Sequence, residues 1–191
     1  YSRKLENQMI EIIVGTNRRN SSSAVVANWL HHFYSDLSES SQVMDLTDLP
    51  LETFSPDAYK EKPEKVRTFT DRVLNAKGLV VVTPEYNGSM AGALKLFIDL
   101  LPFPESFENR PVCYLGLASG QFGASRPVEH LMQVFGYRNA YNFPKRVFLP
   151  FCHNCIDPEK GVTDEESAQR LQQQAIEFIE FCNLLQSRNS E

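Results

Sequence analysis

The chain has 191 residues, of which 42% are hydrophobic, 23% charged and 11% aromatic. That is the composition of one globular domain, not of a disordered tail, a fibre or a disulfide-stapled mini-protein. Nineteen basic and 24 acidic residues leave a formal charge of -5, which argues against nucleic-acid binding, a property that usually needs a basic face.

Tyr1 to Gln8 is polar and charged and is set aside as a leader or an added extension, with one domain expected over residues 9–187. Met9 to Val14 is a short apolar run that predicts a buried strand ending at Gly15. The polar stretch Thr16 to Ser23 follows, and Ala24, Val25, Trp29, Leu30, Phe33 and Leu37 then share one helical face. Gln42 to Leu46 is a second strand, and Pro50 to Pro63 is an irregular loop. Glu64 to Ala76 is helical, with Val66, Phe69, Val73 and Leu74 on one side. Leu79 to Thr83 is the strongest strand signal, continuous and β-branched, as in a sheet covered on both faces. A helix is expected over Ser89 to Leu101, a strand over Val112 to Leu117, and a helix over Arg126 to Phe135. Arg146 to Phe151 belongs to a last strand, and Glu165 to Leu185 is a long amphipathic helix.

Five strands alternating with five helices predict a single-domain α/β fold, a five-stranded parallel sheet with helices on both faces. The expected strand order is the flavodoxin-like 2-1-3-4-5, which places ligands outside the carboxyl ends of strands 1, 3 and 4. The loops there carry the chemistry. Gly15 to Ser23 puts small hydroxyls and Arg18 at a helix N-terminus, a place that favours an anion, although serines also simply cap helices. Thr83 to Ser89 offers the flat ring of Tyr86, the amide of Asn87 and the close approach allowed by Gly88, which suits a planar heterocycle. Ala118 to Ala124 has two glycines three apart and is weak evidence alone.

Together the three loops resemble the NADPH-dependent FMN reductase family of flavodoxin-like proteins, from about Met9 to the last helix. The family's G-S-x-R-x-x-S loop stands here as Gly15-Thr16-Asn17-Arg18-Arg19-Asn20-Ser21, with Thr for the first Ser. Its T-P-E-Y-N-x-S hallmark matches Thr83 to Ser89 throughout. The following P-G-x-L-K is Ala91-Gly92-Ala93-Leu94-Lys95, with Ala in place of Pro, and Leu96 stands where Asn is frequent. G-x-x-G-G appears as Gly120-Gln121-Phe122-Gly123-Ala124. The resemblance implies that Arg18, Ser21 and Ser23 contact the FMN phosphate, with Thr16 in the same cofactor-binding loop. It implies that Pro84, Glu85, Tyr86 and Asn87 line the ring and ribityl chain, and that Ser119, Gly120, Gln121 and Gly123 support the other ring edge.

It further implies that NAD(P)H is co-substrate and that hydride passes through FMN to a small-molecule acceptor (quinone, azo compound, metal oxyanion or free flavin) by a ping-pong sequence. Such chemistry belongs to the cofactor, so no catalytic side chain is nominated. A homodimer or tetramer is expected, with the predicted helix Ser89 to Leu101 and the aromatic loop around Phe103 and Phe107 at the interface. The alternative is a flavin-binding electron carrier or sensor without steady turnover. A phospho-receiver module is disfavoured because strand 3 ends in Thr83-Pro84, without a phosphorylatable aspartate. Four cysteines without a secreted framework, no signal pattern and no bilayer-length apolar run make a reducing cytoplasm the expected compartment, with no membrane partner. The pair Cys152 and Cys155 is read as incidental, since a closed zinc site wants four ligands. His31 and His32 are read as surface residues and His130 as a structural one. No metal is expected.

Overall fold

The computed structural model describes residues 8–188, and nearly all of the expected leader lies outside them. Strands β1 (Ile10–Val14), β2 (Ser41–Asp45), β3 (Gly78–Pro84) and β4 (Pro111–Leu117) lie parallel in the order β2-β1-β3-β4. The fifth place is shared by β5 (Tyr141–Asn142), paired to the start of β4, and β6 (Val147–Leu149), paired to its end. The expected order 2-1-3-4-5 is the order observed. The expected strand Arg146 to Phe151 ends at Leu149, because the chain turns at Pro150 and Phe151 takes a left-handed backbone, φ 46°. Where the outer strand is interrupted, Gln174 reaches in from the last helix. Its amide donates to the carbonyls of Tyr114 (3.0 Å) and Lys145 (2.9 Å).

Five helices cover the sheet: α1 (Ser22–Asp36), α2 (Glu64–Asn75), α3 (Gly92–Leu100), α4 (Ser125–Tyr137) and α5 (Glu165–Arg188). Strand residues alternate between the two faces. Ile10, Ile12 and Val14 pack with Val26, Leu30 and Tyr34 of α1 and Leu171, Phe178 and Cys182 of α5. Ile13, Leu79 and Val81 pack with Phe69 and Val73 of α2, Leu94 and Phe97 of α3, and Leu131 and Phe135 of α4. The proline-rich stretch predicted as a loop folds into short 3-10 turns, Leu51–Phe54 and Pro56–Tyr59. A small antiparallel hairpin, β7 (Ile156–Asp157) with β8 (Gly161–Val162), precedes α5 and has no counterpart in the predicted elements.

Helix α3 starts at Gly92, not Ser89. Asn87 (φ 52°) and Gly88 (φ 75°) are both left-handed. Tyr86 and Ser89 exchange two backbone hydrogen bonds across them, 2.9 and 3.1 Å. Asn-Gly is the usual dipeptide for such a primed turn, so Ser89 serves the turn and the helix begins later.

One polar group stands in the apolar β1. Glu11 is fully buried and faces Arg72 of α2, with Nη2 2.6 Å from Oε1, while Gln42 donates to Oε2 at 2.8 Å. Burial pushes its carboxyl up to about 7, against the pull of Arg72 and Gln42. The native state therefore holds a proton that the unfolded state has already released. Glu11 lowers stability progressively as pH rises from its ordinary carboxylate range to about 7. Urea unfolding at both ends of that window should show Glu11→Gln gaining on the wild type by about 1–3 kcal/mol at the upper end. A pH-independent difference would contradict this.

Candidate functional site

At the carboxyl end of the sheet a cavity of about 480 Å³ opens between the loops after β1, β3 and β4, a size usual for small-molecule sites. The β1–α1 loop contributes Arg18, Arg19, Asn20 and residues 21–23. The β3–α3 loop contributes Pro84, Glu85 and Tyr86. Leu117, Ala118 and Ser119 come from β4 and its following loop, and Cys152 closes the far side.

The β1–α1 loop is built on Gly15. Its N–H donates to the Val82 carbonyl at 2.8 Å, extending the β1–β3 ladder past the strand end. A Cβ there would meet the Val82 oxygen at 2.8 Å and the Thr83 Cα at 3.1 Å. Thr16 is buried, and its hydroxyl accepts from the Arg18 N–H (3.2 Å) and meets the Tyr86 hydroxyl at 3.1 Å, joining the first two loops. Ser21 is the N-cap of α1, its hydroxyl accepting from the Ala24 N–H at 3.2 Å. Ser23 differs: its Oγ is buried without a hydrogen-bond partner among the described residues, although Ser23 lines the cavity. An unpaired buried hydroxyl costs free energy unless something satisfies it. The Ala24 and Val25 N–H groups go to Ser21, which leaves those of Ser22 and Ser23 as the N–H groups of the first turn without a backbone acceptor among the described residues, and the helix dipole adds positive potential there.

Glu85 is fixed by Arg126 of α4, 3.1 Å away, and Arg126 also lies over the Phe122 ring, 4.7 Å from its centre. His130, expected to be structural, is exposed and meets the Ser89 hydroxyl at 2.9 Å. His32 is exposed as expected, whereas His31 is half-buried and meets the Ser41 hydroxyl at 2.8 Å.

Of the predicted site residues, Arg18, Ser21, Ser23, Pro84, Glu85, Tyr86 and Ser119 line the cavity together. Thr16 stands behind it through Tyr86. Asn87, at the turn tip, and Gly120, Gln121 and Gly123 are not among the lining residues. The third loop is instead laced to the chain after β6. The Gly120 carbonyl accepts from the Phe151 N–H (3.2 Å), and the Ala118 carbonyl from the Cys152 N–H (3.0 Å). Six lining residues were not among those nominated from the sequence: Arg19, Asn20, Ser22, Leu117, Ala118 and Cys152. Burial pushes the Cys152 thiol up, with Ser119 pulling the other way, so it is a wall rather than a ready thiolate. Among the described residues, no group of three or more His, Cys, Asp or Glu could hold a metal ion, and no helix is long and apolar enough to cross a membrane.

On the outer face, Phe103 is 56% exposed, whereas Phe107 is only 3% exposed and packs on Phe135 at 5.5 Å. Phe107, expected at an interface, is therefore a core residue.

The sequence profile of the family described as NADPH-dependent FMN reductase matches residues 9–154. The NAD(P)H-dependent FMN reductase PA1204 of Pseudomonas aeruginosa is 32% identical over 139 residues, 71% of this chain and 74% of that one. The quinone reductase of Escherichia coli is 30% identical over 182 residues, 92% of this chain and 96% of that one. Among solved structures, FerB, a flavoenzyme NAD(P)H:(acceptor) oxidoreductase from Paracoccus denitrificans, superposes with a TM-score of 0.74 at 22% identity, covering 93% of this chain and 98% of that one.

Proposed function

Because this chain belongs to the NADPH-dependent FMN reductase family, we propose that it is an oxidoreductase that holds FMN in the 480 Å³ cavity and passes hydride from NAD(P)H to a small quinone-class acceptor. The observation that carries the cofactor's placement is Ser23, a cavity-lining residue in the first turn of α1 whose hydroxyl is buried without a partner. A phosphate there takes the hydrogen bond that Ser23 lacks and the free N–H groups of the first helical turn. The residues present fit the group.

In this reading Arg18 supplies a guanidinium to the phosphate, and Ser21 shapes the turn as a cap. Pro84, Glu85 and Tyr86 form one wall, with Arg126 holding Glu85 and Thr16 holding Tyr86 in place. Ser119 and Cys152 form the other wall. Gly120, Gln121 and Gly123 act through backbone position, and Asn87 by making the turn. The chemistry supplied by bound FMN is hydride uptake from NAD(P)H and delivery to an acceptor in two half-reactions that use one face in turn. The protein's own part is orientation and the exclusion of water, with no acid or nucleophile required.

The acceptor class is taken from the quinone reductase relative. The test is to load purified protein with FMN and follow NAD(P)H oxidation against a panel of quinones. Flavin absorbance with quinone-dependent, saturable turnover is expected. Neither a flavin spectrum nor NAD(P)H oxidation would sink the proposal. Ser23→Ala should raise the FMN Kd about tenfold, the worth of one hydrogen bond to a charged group. It should leave the melting temperature of flavin-free protein unchanged or slightly higher, because an unsatisfied hydroxyl has gone. Fluorescence titration and thermal melts read the two effects separately.

A homodimer is part of the same proposal. A groove of about 420 Å³ runs between α3 and α4, bordered by Ile98, Leu101, Phe103 and Tyr137, and Phe103 and Tyr137 are both exposed. Sedimentation that reports a monomer at all concentrations would remove this element.

A further inference from the structure

A second cavity, about 640 Å³, lies against α1 and shares residues 19–21 with the first. The two spaces meet around the β1–α1 loop. The proposed function leaves one binding need without a place: half of NAD(P)H is an adenylate, and the described residues form no separate nucleotide domain. The nicotinamide must lie in the first cavity, so the adenylate needs a neighbouring one.

The lining of the second cavity has the required chemistry. His32 of α1 presents an exposed ring on which a purine can stack, with Trp29 beside it in the cavity wall. Trp29 is held in place by a parallel stack on Phe33, 6.2 Å between centres. On its other flank is Gly161 of the β7–β8 hairpin, where a Cβ would meet Trp29 Cδ1 at 2.5 Å. Arg19 and Lys160 are cations for phosphate oxygens, from the first loop and the hairpin turn. Asp48 offers a carboxylate to ribose hydroxyls. Asn28 spends its amide N–H on the Ala24 carbonyl at 2.8 Å, which leaves its oxygen as an acceptor. Asp45 and Glu159 also line the space, so stacking and ribose contacts, more than net charge, would carry recognition.

We infer that this cavity receives the adenylate half of the nicotinamide nucleotide, an inference that rests on the proposed hydride function. The chain contains one tryptophan, so the indole N–H cross-peak in an ¹⁵N–¹H spectrum reports on this cavity alone. Titrating FMN-loaded protein with 5′-AMP, and separately with 2′,5′-ADP, should shift that peak saturably. Both should inhibit competitively against NAD(P)H, and the tighter of the two identifies the preferred nucleotide.

Lys160→Glu, outside the flavin cavity, should raise KM for the preferred nucleotide about tenfold through charge reversal beside a phosphate. The same variant should leave kcat, FMN affinity and turnover with reduced nicotinamide mononucleotide, which lacks the adenylate, unchanged. An unmoved Trp29 peak with no competition by either nucleotide would overturn the inference. So would a Lys160→Glu defect of equal size with both hydride donors. Failure of the underlying function is read elsewhere, as the absence of a flavin spectrum and of NAD(P)H oxidation.

Discussion

Replacing Gly15 with valine is expected to reduce NAD(P)H-dependent quinone reduction by about 100-fold, the order of loss that follows a misplacement of roughly 1 Å. The reason lies in backbone, not in any side chain that a ligand would touch. The Cβ would sit 2.8 Å from the Val82 oxygen and 3.1 Å from both the Thr83 Cα and the Leu94 side chain. Two of those three atoms belong to the β3 backbone, which cannot swing aside as a side chain can. β1 and β3 must part at their carboxyl ends, breaking the Gly15 to Val82 hydrogen bond. The loops they carry then lose the Thr16–Tyr86 contact that joins them. Overpacking of this kind costs about 1–3 kcal/mol, so the variant should still fold, with unaltered far-ultraviolet circular dichroism. Steady-state rates and flavin titration on folded protein make the measurement. Activity within threefold of the wild type would show that the loops tolerate the separation.

Arg110→Met should be the more damaging change to stability, lowering it by about 3–5 kcal/mol, because four carbonyls lose a charged donor at once and each buried polar group left unpaired costs about 1–3 kcal/mol. The guanidinium is fully buried. It donates to the carbonyls of Ala76 (2.5 Å), Leu74 (3.2 Å), Glu105 (3.2 Å) and Ser106 (3.3 Å). One side chain thus ties the C-terminal end of α2, where helix carbonyls lack partners and a cation is favoured, to the turn that leads into β4. Methionine fills much of the volume and satisfies none of the acceptors. For a chain of this length the melting temperature should fall by about 10 °C. Arg110→Lys should recover less than half of the loss, because one ammonium cannot span four carbonyls set in a planar fork. Full recovery by lysine would mean that charge alone matters. A methionine variant as stable as the wild type would mean that water replaces the guanidinium.

These two positions also show what the sequence makes legible. The buried strands announce themselves because a parallel sheet covered on both faces needs contiguous apolar runs: Leu79 to Val82 is such a run, and Ile10 to Val14 is one but for Glu11. The loop that ends in Ser21 and Ser23 is legible because helix caps and anion sites draw on the same small hydroxyl residues. Arg110 was not legible: an arginine at a loop end reads as a surface charge, and only the fold brings four carbonyls around it. Cys152 was missed as a lining residue for a related reason, since its place beside Ser119 depends on the chain after β6 folding back on Ala118 and Gly120. α3 starts three residues later than expected, at Gly92. The Asn87-Gly88 dipeptide ahead of it was the available signal for a tight turn.

The interruption between β5 and β6 has a consequence beyond the site. An open sheet has two rims, and each exposes unpaired backbone groups that another chain can adopt as a template. Here the rim beyond β4 consists of a two-residue and a three-residue segment. Lys145 and Arg146 are exposed at the break, and Gln174 occupies the carbonyls of Tyr114 and Lys145 from inside. No stretch on that rim is long enough to seed a continuous ladder. Edge-to-edge pairing along the rim beyond β4 is thereby blocked.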